Sequence, residues 1–237
     1  LNDPPRLEKE PGLVKNPDFT DLDTCLTADI ITVHTPLTYD EPYATHQLLS
    51  AAKLANIKPH QIIINAARGG IINEQAWSKT STLCNIIDCW ENEPNIDETL
   101  YKTALIATPH IAGHSLDAKV AGSSMVYHAL CQNWNIKQNN NWQKQLPESP
   151  EPINIIEQES IQKTLNTLFT QTHNIMNDDL AIRSKNITET HQKYENYRRN
   201  FPIYREWHQH NVLKTQSSKL NNLLESLGFT LSGSQTY

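Results

Sequence analysis

The sequence predicts an α/β fold built on a doubly wound parallel sheet, followed by a smaller α+β domain. Three observations predict it. Short apolar runs rich in isoleucine recur at residues 28–34, 62–65, 85–88 and 105–108. A helix-competent stretch separates each run from the next, as parallel strands joined by crossovers require. Past about residue 135 the composition turns to Asn, Gln, Lys and Pro before a second patterned region begins, which marks a linker.

The elements follow in order. Residues 21–27 (DLDTCLT) predict a short helix that sets Leu22, Cys25 and Leu26 against the sheet, and ADIITVH at 28–34 is the first strand. Ser50 caps a helix over SAAKLANIK that Pro59 stops, ahead of the IIIN strand. Asn73 caps the helix holding Ala76 and Trp77; the NIID and LIAT strands come after it. A helix over 116–134 carries Val120, Ser124, Tyr127, Ala129 and Cys131 near one side. These observations place a first domain at residues 1–135, a linker at 136–151 and a second domain at 152–237. In the second domain PINIIE alternates like a strand, and Ile161, Leu165, Leu168, Phe169 and Ile175 recur at helical spacing. Leu220, Leu223, Leu224 and Leu227 form another stripe, closed by Gly228 and followed by FTL. So short a domain has a marginal core, which burial against a second copy would enlarge.

Composition excludes several function classes. With 26 acidic against 20 basic side chains and a formal charge of −6, the chain lacks the basic face that nucleic acid demands. No run approaches the ~20 apolar residues of a membrane helix. Cys25, Cys84, Cys89 and Cys131 show no C-x-x-C spacing, so free thiols in a reducing cytoplasm are expected. Ten histidines invite a metal reading, yet His208 and His210 have no acidic or cysteine partner at ligand spacing, and no metal is expected.

Arg68, Glu93 and His110 each stand just past an apolar run, where open α/β sheets bind their ligands. Together the three types suit hydride loss from an alcohol beside a carboxylate. A histidine takes the hydroxyl proton near its working pH. A carboxylate on the other ring nitrogen fixes the tautomer and stabilises the imidazolium. A guanidinium grips the substrate carboxylate with two parallel bonds. Taken singly, each has a plainer structural role; the order and phrasing of all three carry the chemistry.

The phrases DPPR (3–6), HTPL (34–37), NAARGG (65–70), DCWENEP (88–94) and HIAG (110–113) resemble those of the D-isomer-specific 2-hydroxyacid dehydrogenases. The resemblance is strong over residues 3–126. It implies the C-terminal portion of a Rossmann-type NAD-binding domain, with Arg68, Glu93 and His110 catalytic and His110 the acid/base. It also implies NAD contacts at Asp3, Thr35, Asp88 and Gly113, and a phosphorylated hydroxy acid as substrate. His114 stands where such enzymes commonly place a substrate-contacting tyrosine, and is expected to touch substrate. The 116–134 helix is expected to return toward a substrate domain, and the α+β domain to form a homodimer.

An acid at Asp3 would bond the adenosine ribose and repel a 2′-phosphate, which favours NAD, although Arg6 lies close by. Structural alternatives stand beside these roles: Asp88 capping the next turn, Thr35 bonding its own loop, Gly113 serving a turn. The seven glycines form no G-x-G-x-x-G fingerprint. The chain is therefore expected to belong to a longer protein, starting within the second strand. Two further functions share the triplet: oxidation of another 2-hydroxy acid, and an NAD-sensing binding protein of the same fold. Finally, the basic run at 193–207 has two readings. Arg198, Arg199 or Arg205 reaches the substrate phosphate across a dimer, or the run is a solvated face with ion pairs to Glu195 and Glu206.

Overall fold

The structure, a computed structural model, describes residues 1–234; residues 235–237 of the expected second domain lie outside it. In chain order the helices and strands are α1 (Pro4–Lys9), α2 (Leu22–Cys25), β1 (Ile30–Val33), α3 (Ala51–Leu54), β2 (Ile62–Asn65), α4 (Glu74–Trp77), β3 (Cys84–Ile87), α5 (Glu98–Thr103), β4 (Ala104–Ala107), α6 (Leu116–Asn133), α7 (Ile161–Thr172), α8 (Ile175–Ile182), α9 (Ile187–Arg199), β5 (Asn211–Lys214), α10 (Ser218–Ser226) and β6 (Thr230–Ser234).

The chain divides into two compact units. The first is residues 1–112 with 178–200, and the second is 113–177 with 201–237. This differs from the boundaries that composition suggests: α6 goes with the second unit, and residues 178–200 go with the first. Composition marks linkers, but the burial of apolar faces assigns helices to cores.

In the first unit, β1 to β4 pair in parallel in the order β1-β2-β3-β4, with Ile31 beside Ile63, Ile64 beside Ile86 and Ile87 beside Ala107. The order advances in one direction, so right-handed crossovers set α3, α4 and α5 on one face; α4 meets both of the others. That is one half of a doubly wound arrangement. The helices are short and their starts are capped as the sequence predicts. Ser50 Oγ accepts from Lys53 N–H and Asn73 Oδ1 from Ala76 N–H. Leu22, Cys25 and Leu26 are half-buried as expected. Leu54, Ile63, Ile71, Ile72, Trp77, Ile87 and Leu100 form the centre of the core.

The late segment closes this core. Ile182 and Tyr194 belong to the same apolar cluster. Asp179 Oδ1 accepts the Ala107 N–H at 2.6 Å, and Arg183 Nη2 donates to the carbonyls of Ala104 at 2.8 Å and Leu105 at 3.3 Å. Side chains thereby satisfy backbone groups of β4 that would otherwise be open to another strand.

The second unit has its own core of Ile155, Leu168, Val212, Leu220, Leu224 and Phe229. Trp207, Phe169 and Phe229 cluster as a triangle of near-parallel rings, the Trp207 centroid 4.8 Å from Phe169 and 5.3 Å from Phe229. β5 and β6 pair in parallel. The expected strand at PINIIE reduces to one bridge, Ile153 to Val212. Helix 161–172 ends before Ile175, which starts α8 and is exposed. On α6 only Cys131 is fully buried, and Ala129 faces solvent where a core position was expected. Met125, Val126 and Trp134 are exposed as well. Gly228, at φ +96°, ends α10 as expected. Among the described residues no helix is long and apolar enough to cross a membrane, and all four cysteines are free thiols.

Candidate active site

Three loops at the carboxyl ends of β2, β3 and β4 carry Arg68, Glu93 and His110, and the last side chains of the strands tie them together. Asn65, buried at the end of β2, donates from Nδ2 to the carbonyls of Arg68 at 3.0 Å and Cys89 at 3.1 Å. Its Oδ1 accepts the Ala67 N–H. The Arg68 loop is thus stitched to the loop that follows β3. At Gly69 the approach is closer still, since a Cβ there would lie 2.1 Å from the Trp90 carbonyl. Only glycine fits, and Gly70 follows at φ +78°.

Asp88 does for the next strand what Asn65 does for β2. Its Oδ1 accepts the Thr108 hydroxyl and the Ile111 N–H, both at 2.7 Å, and Oδ2 accepts the Ala112 N–H at 3.0 Å and the Cys89 thiol at 3.8 Å. Four donors fill the acceptor positions of this buried carboxylate. The sequence reading that has Asp88 cap a turn matches this geometry; a free contact to cofactor does not.

Glu93 and His110 meet directly. His110 Nδ1 lies 3.0 Å from Glu93 Oε2, and Glu93 Oε1 accepts the Trp90 N–H at 2.8 Å. A carboxylate at Nδ1 holds the proton there and leaves Nε2 as the basic nitrogen. Burial pushes the Glu93 carboxyl up, but the His110 ring and the Trp90 N–H more than offset it, so the group sits below its usual range. His110 adopts φ +52°, a conformation that non-glycine residues rarely hold unless their surroundings impose it.

Arg68 is exposed, and its Nη1 donates to its own neighbour's carbonyl, Ala67 O, at 2.6 Å. Its charge is felt at Cys89, whose sulfur lies within 4.8 Å of ligand atoms of both Glu93 and His110. Those three side chains have the spacing of a metal site. Burial and the charges of Asp88 and Glu93 raise the Cys89 thiol far above its usual range.

Two residues of α9 complete the site, and the sequence reading missed the first. Tyr194 is 2% exposed. Burial, then the Glu93 charge, drive its phenol well above its usual range. Arg198, one turn on, donates from Nε to the His110 carbonyl at 3.1 Å. Arg199 pairs with Glu195 as the surface reading predicts. Arg205 does not pair with Glu206: it is buried in the second unit, where it bonds both oxygens of Asp117, the carbonyls of Pro147 and Glu148, and Gln209. Tyr194 shares a helical spacing with Ile187, Thr190 and Tyr197, the face by which α9 packs on the core, and that period was the signal that could have marked it as buried.

The remaining expected residues are Asp3, Thr35, Gly113 and His114. Asp3 is exposed and caps α1 by accepting the Arg6 N–H. Gly113 and His114 belong to the second unit, where a Cβ on Gly113 would meet nothing and the His114 ring meets Phe201 edge-on at 5.9 Å. Thr35, just past β1, has a buried hydroxyl with no partner among the described residues. A buried hydroxyl of this kind calls for a ligand or water, which fits a dinucleotide contact there.

Known proteins resemble this chain over most of its length. Residues 3–112 match the NAD binding domain of the D-isomer specific 2-hydroxyacid dehydrogenases. The chain is similar to the erythronate-4-phosphate dehydrogenase of Hydrogenovibrio crunogenus, with 57% identity over 98% of this chain and 60% of that protein. It is also similar to the protein of that name in Ruthia magnifica subsp. Calyptogena magnifica, 45% identical over 88% and 55%, and in Chromohalobacter salexigens, 34% identical over 97% and 61%. The chain spans 55 to 61% of the length of these relatives. With the parallel sheet, the strand-end loops and this match in place, residues 3–112 are an NAD-binding domain of the D-isomer specific 2-hydroxyacid dehydrogenase type.

Proposed function

We propose that this sequence serves an enzyme that oxidises 4-phospho-D-erythronate to 3-hydroxy-2-oxo-4-phosphobutanoate with NAD, a step of pyridoxal 5′-phosphate biosynthesis. The observation that carries the proposal is the 3.0 Å pairing of His110 Nδ1 with Glu93, in a chain 57% identical to an erythronate-4-phosphate dehydrogenase. His110 Nε2 accepts the proton of the C2 hydroxyl. Glu93 holds the ring and balances the imidazolium that forms. Arg68 exchanges its bond to Ala67 O for a two-point grip on the substrate carboxylate, which orients C2 and favours the developing carbonyl oxygen. NAD, when bound, takes the hydride from C2.

Of the residues assigned to NAD, Thr35 offers its buried hydroxyl and Asp3 retains Oδ2 for a ribose. Asp88 acts through the loop that it organises, and Gly113 leaves room for close approach. His114 is assigned to substrate. The enzyme is placed in the cytoplasm as a homodimer. The small core of the second unit and the exposed apolar side chains of α6 support self-association, which sedimentation would test.

The function is tested by NADH formation in the intact protein, with 4-phosphoerythronate beside 3-phosphoglycerate and glycerate. Preference for the first is expected. Preference for another acid would keep the chemistry and discard the pathway. NAD-dependent partner binding with no turnover would replace the enzyme by a sensor of the same fold.

A further inference from the structure

The acid of the proposed reaction is anionic at both ends, and Arg68 accounts only for its carboxylate. A phosphate carries about −1.5 to −2 charges near neutrality, and the loops around His110 otherwise bring the acids Asp88, Glu91 and Glu93. A second cation is needed close to the dyad. The α8–α9 segment packs on the first unit and supplies the candidates, most of which are committed. Arg183 is held by Asp179 and by the carbonyls of β4, Lys193 by Glu189 and Arg199 by Glu195. Lys185 faces solvent in the turn between the helices.

Arg198 differs from them. Its Nε is tethered to the His110 carbonyl at 3.1 Å, and its Nη groups have no acceptor among the described residues. Helical spacing explains why it lies there: Tyr194 and Arg198 are four residues apart and share a face of α9, so the burial of Tyr194 delivers the guanidinium to the His110 loop. The side chain is half-buried. Its planar fork has one edge anchored and the other N–H groups left for an oxyanion.

We infer that Arg198 binds the phosphate of the substrate, from the same chain that supplies His110. The inference rests on the function proposed above. It narrows three arginines to one and makes Arg198 a determinant of phosphorylated over unphosphorylated hydroxy acids. A guanidinium can make two charge-assisted bonds to a phosphate, so their loss should cost ~10- to 100-fold in the phosphorylated acid.

The test compares the intact wild-type protein with Arg198→Gln and Arg198→Lys, using 4-phosphoerythronate and erythronate. The ratio of kcat/KM for the phosphorylated over the unphosphorylated acid should fall ~10- to 100-fold in Arg198→Gln, mainly through KM, with Arg198→Lys between. A clasp that merely holds the His110 carbonyl would depress both acids alike and leave the ratio unchanged, which would overturn the inference. A rise confined to the KM for NAD would also overturn it, by assigning the anion to the dinucleotide. Should wild type oxidise neither acid, the proposed function fails by itself. Inorganic phosphate titrated against wild type and Arg198→Gln, followed by tryptophan fluorescence, then decides the residue: weaker binding in the variant is expected, and equal binding rejects Arg198.

Discussion

The main-chain N–H of His110 donates to the Asp88 carbonyl at 2.8 Å, while the Asp88 carboxylate takes the N–H groups of the next two residues, Ile111 and Ala112. One residue at the end of β3 thus grips three consecutive amides of the loop after β4. That grip accounts for the positive φ of His110: the surroundings over-determine the backbone, so the imidazole is presented toward Glu93 without depending on its own conformational preference.

Asp88→Ala therefore removes an acceptor from the buried Ile111 amide, the part-buried Ala112 amide and the Thr108 hydroxyl. Each unsatisfied group costs about 1–3 kcal/mol, so a clear fall in melting temperature is expected, together with a loss of kcat as the His110 loop relaxes. Thermal unfolding and steady-state kinetics check both. A variant with unchanged turnover would show that Asp88 does not set the loop.

Glu93→Gln keeps the shape of the side chain and removes its charge. Turnover should fall by ~10²–10⁴, the range for disabling an acid/base group, with the fold retained by circular dichroism. Because Glu93 is held below the usual carboxylate range, it stays charged well into mildly acidic solution and stops balancing the imidazolium only as the pH falls through the depressed value. Retention of full activity in the variant would remove Glu93 from the mechanism.

Gly69→Ala introduces a Cβ 2.1 Å from the Trp90 carbonyl and 2.4 Å from the Glu91 N. Backbone cannot yield as a flexible side chain does, so the Arg68 loop must separate from the loop carrying Glu93. A destabilisation of about 3 kcal/mol or more is expected, measurable by urea unfolding. A cost below about 1 kcal/mol would contradict the close approach of the two loops.

Glu74 is buried on α4 and accepts the Glu91 N–H at 2.6 Å. Burial pushes its carboxyl up to about 8, against the pull of that N–H, with the charges of Glu91, Asp97 and Glu93 adding to the rise. The folded state then binds the proton more tightly than the unfolded chain does. Its contribution is complete below the unfolded value near 4.5 and is lost as pH rises through about 8. The full span amounts to no more than about 5 kcal/mol. Glu74→Gln should flatten the decline between about pH 5 and 8, seen as converging unfolding midpoints at the two pH values. An unaltered slope would assign the pH dependence to other groups.

Much of the fold was legible because its signals are local. Apolar runs of four residues, Ser50 and Asn73 at helix starts and Gly228 at a helix end act within one turn of the chain, and the structure repeats them. The PINIIE alternation failed because a strand also needs a neighbour, and only Ile153 finds one. Arg205 was misread for a similar reason. Its neighbour in sequence is Glu206, but its partner, Asp117, is far away along the chain and no local pattern points to it.

By itself the sequence determined the alternation of strands and helices and the placement of Arg68, Glu93 and His110 past strand ends, since both follow from short-range periodicity. The tertiary structure alone decided the rest. It showed that Asn65 and Asp88 spend their side chains on joining the loops, that residues 178–200 leave the second unit for the first, and that Tyr194 thereby joins the first core while Arg198 reaches the His110 carbonyl. The physical reason is that these contacts join distant stretches of the chain and are selected by burial and hydrogen-bond satisfaction in three dimensions, for which a linear pattern carries no signal.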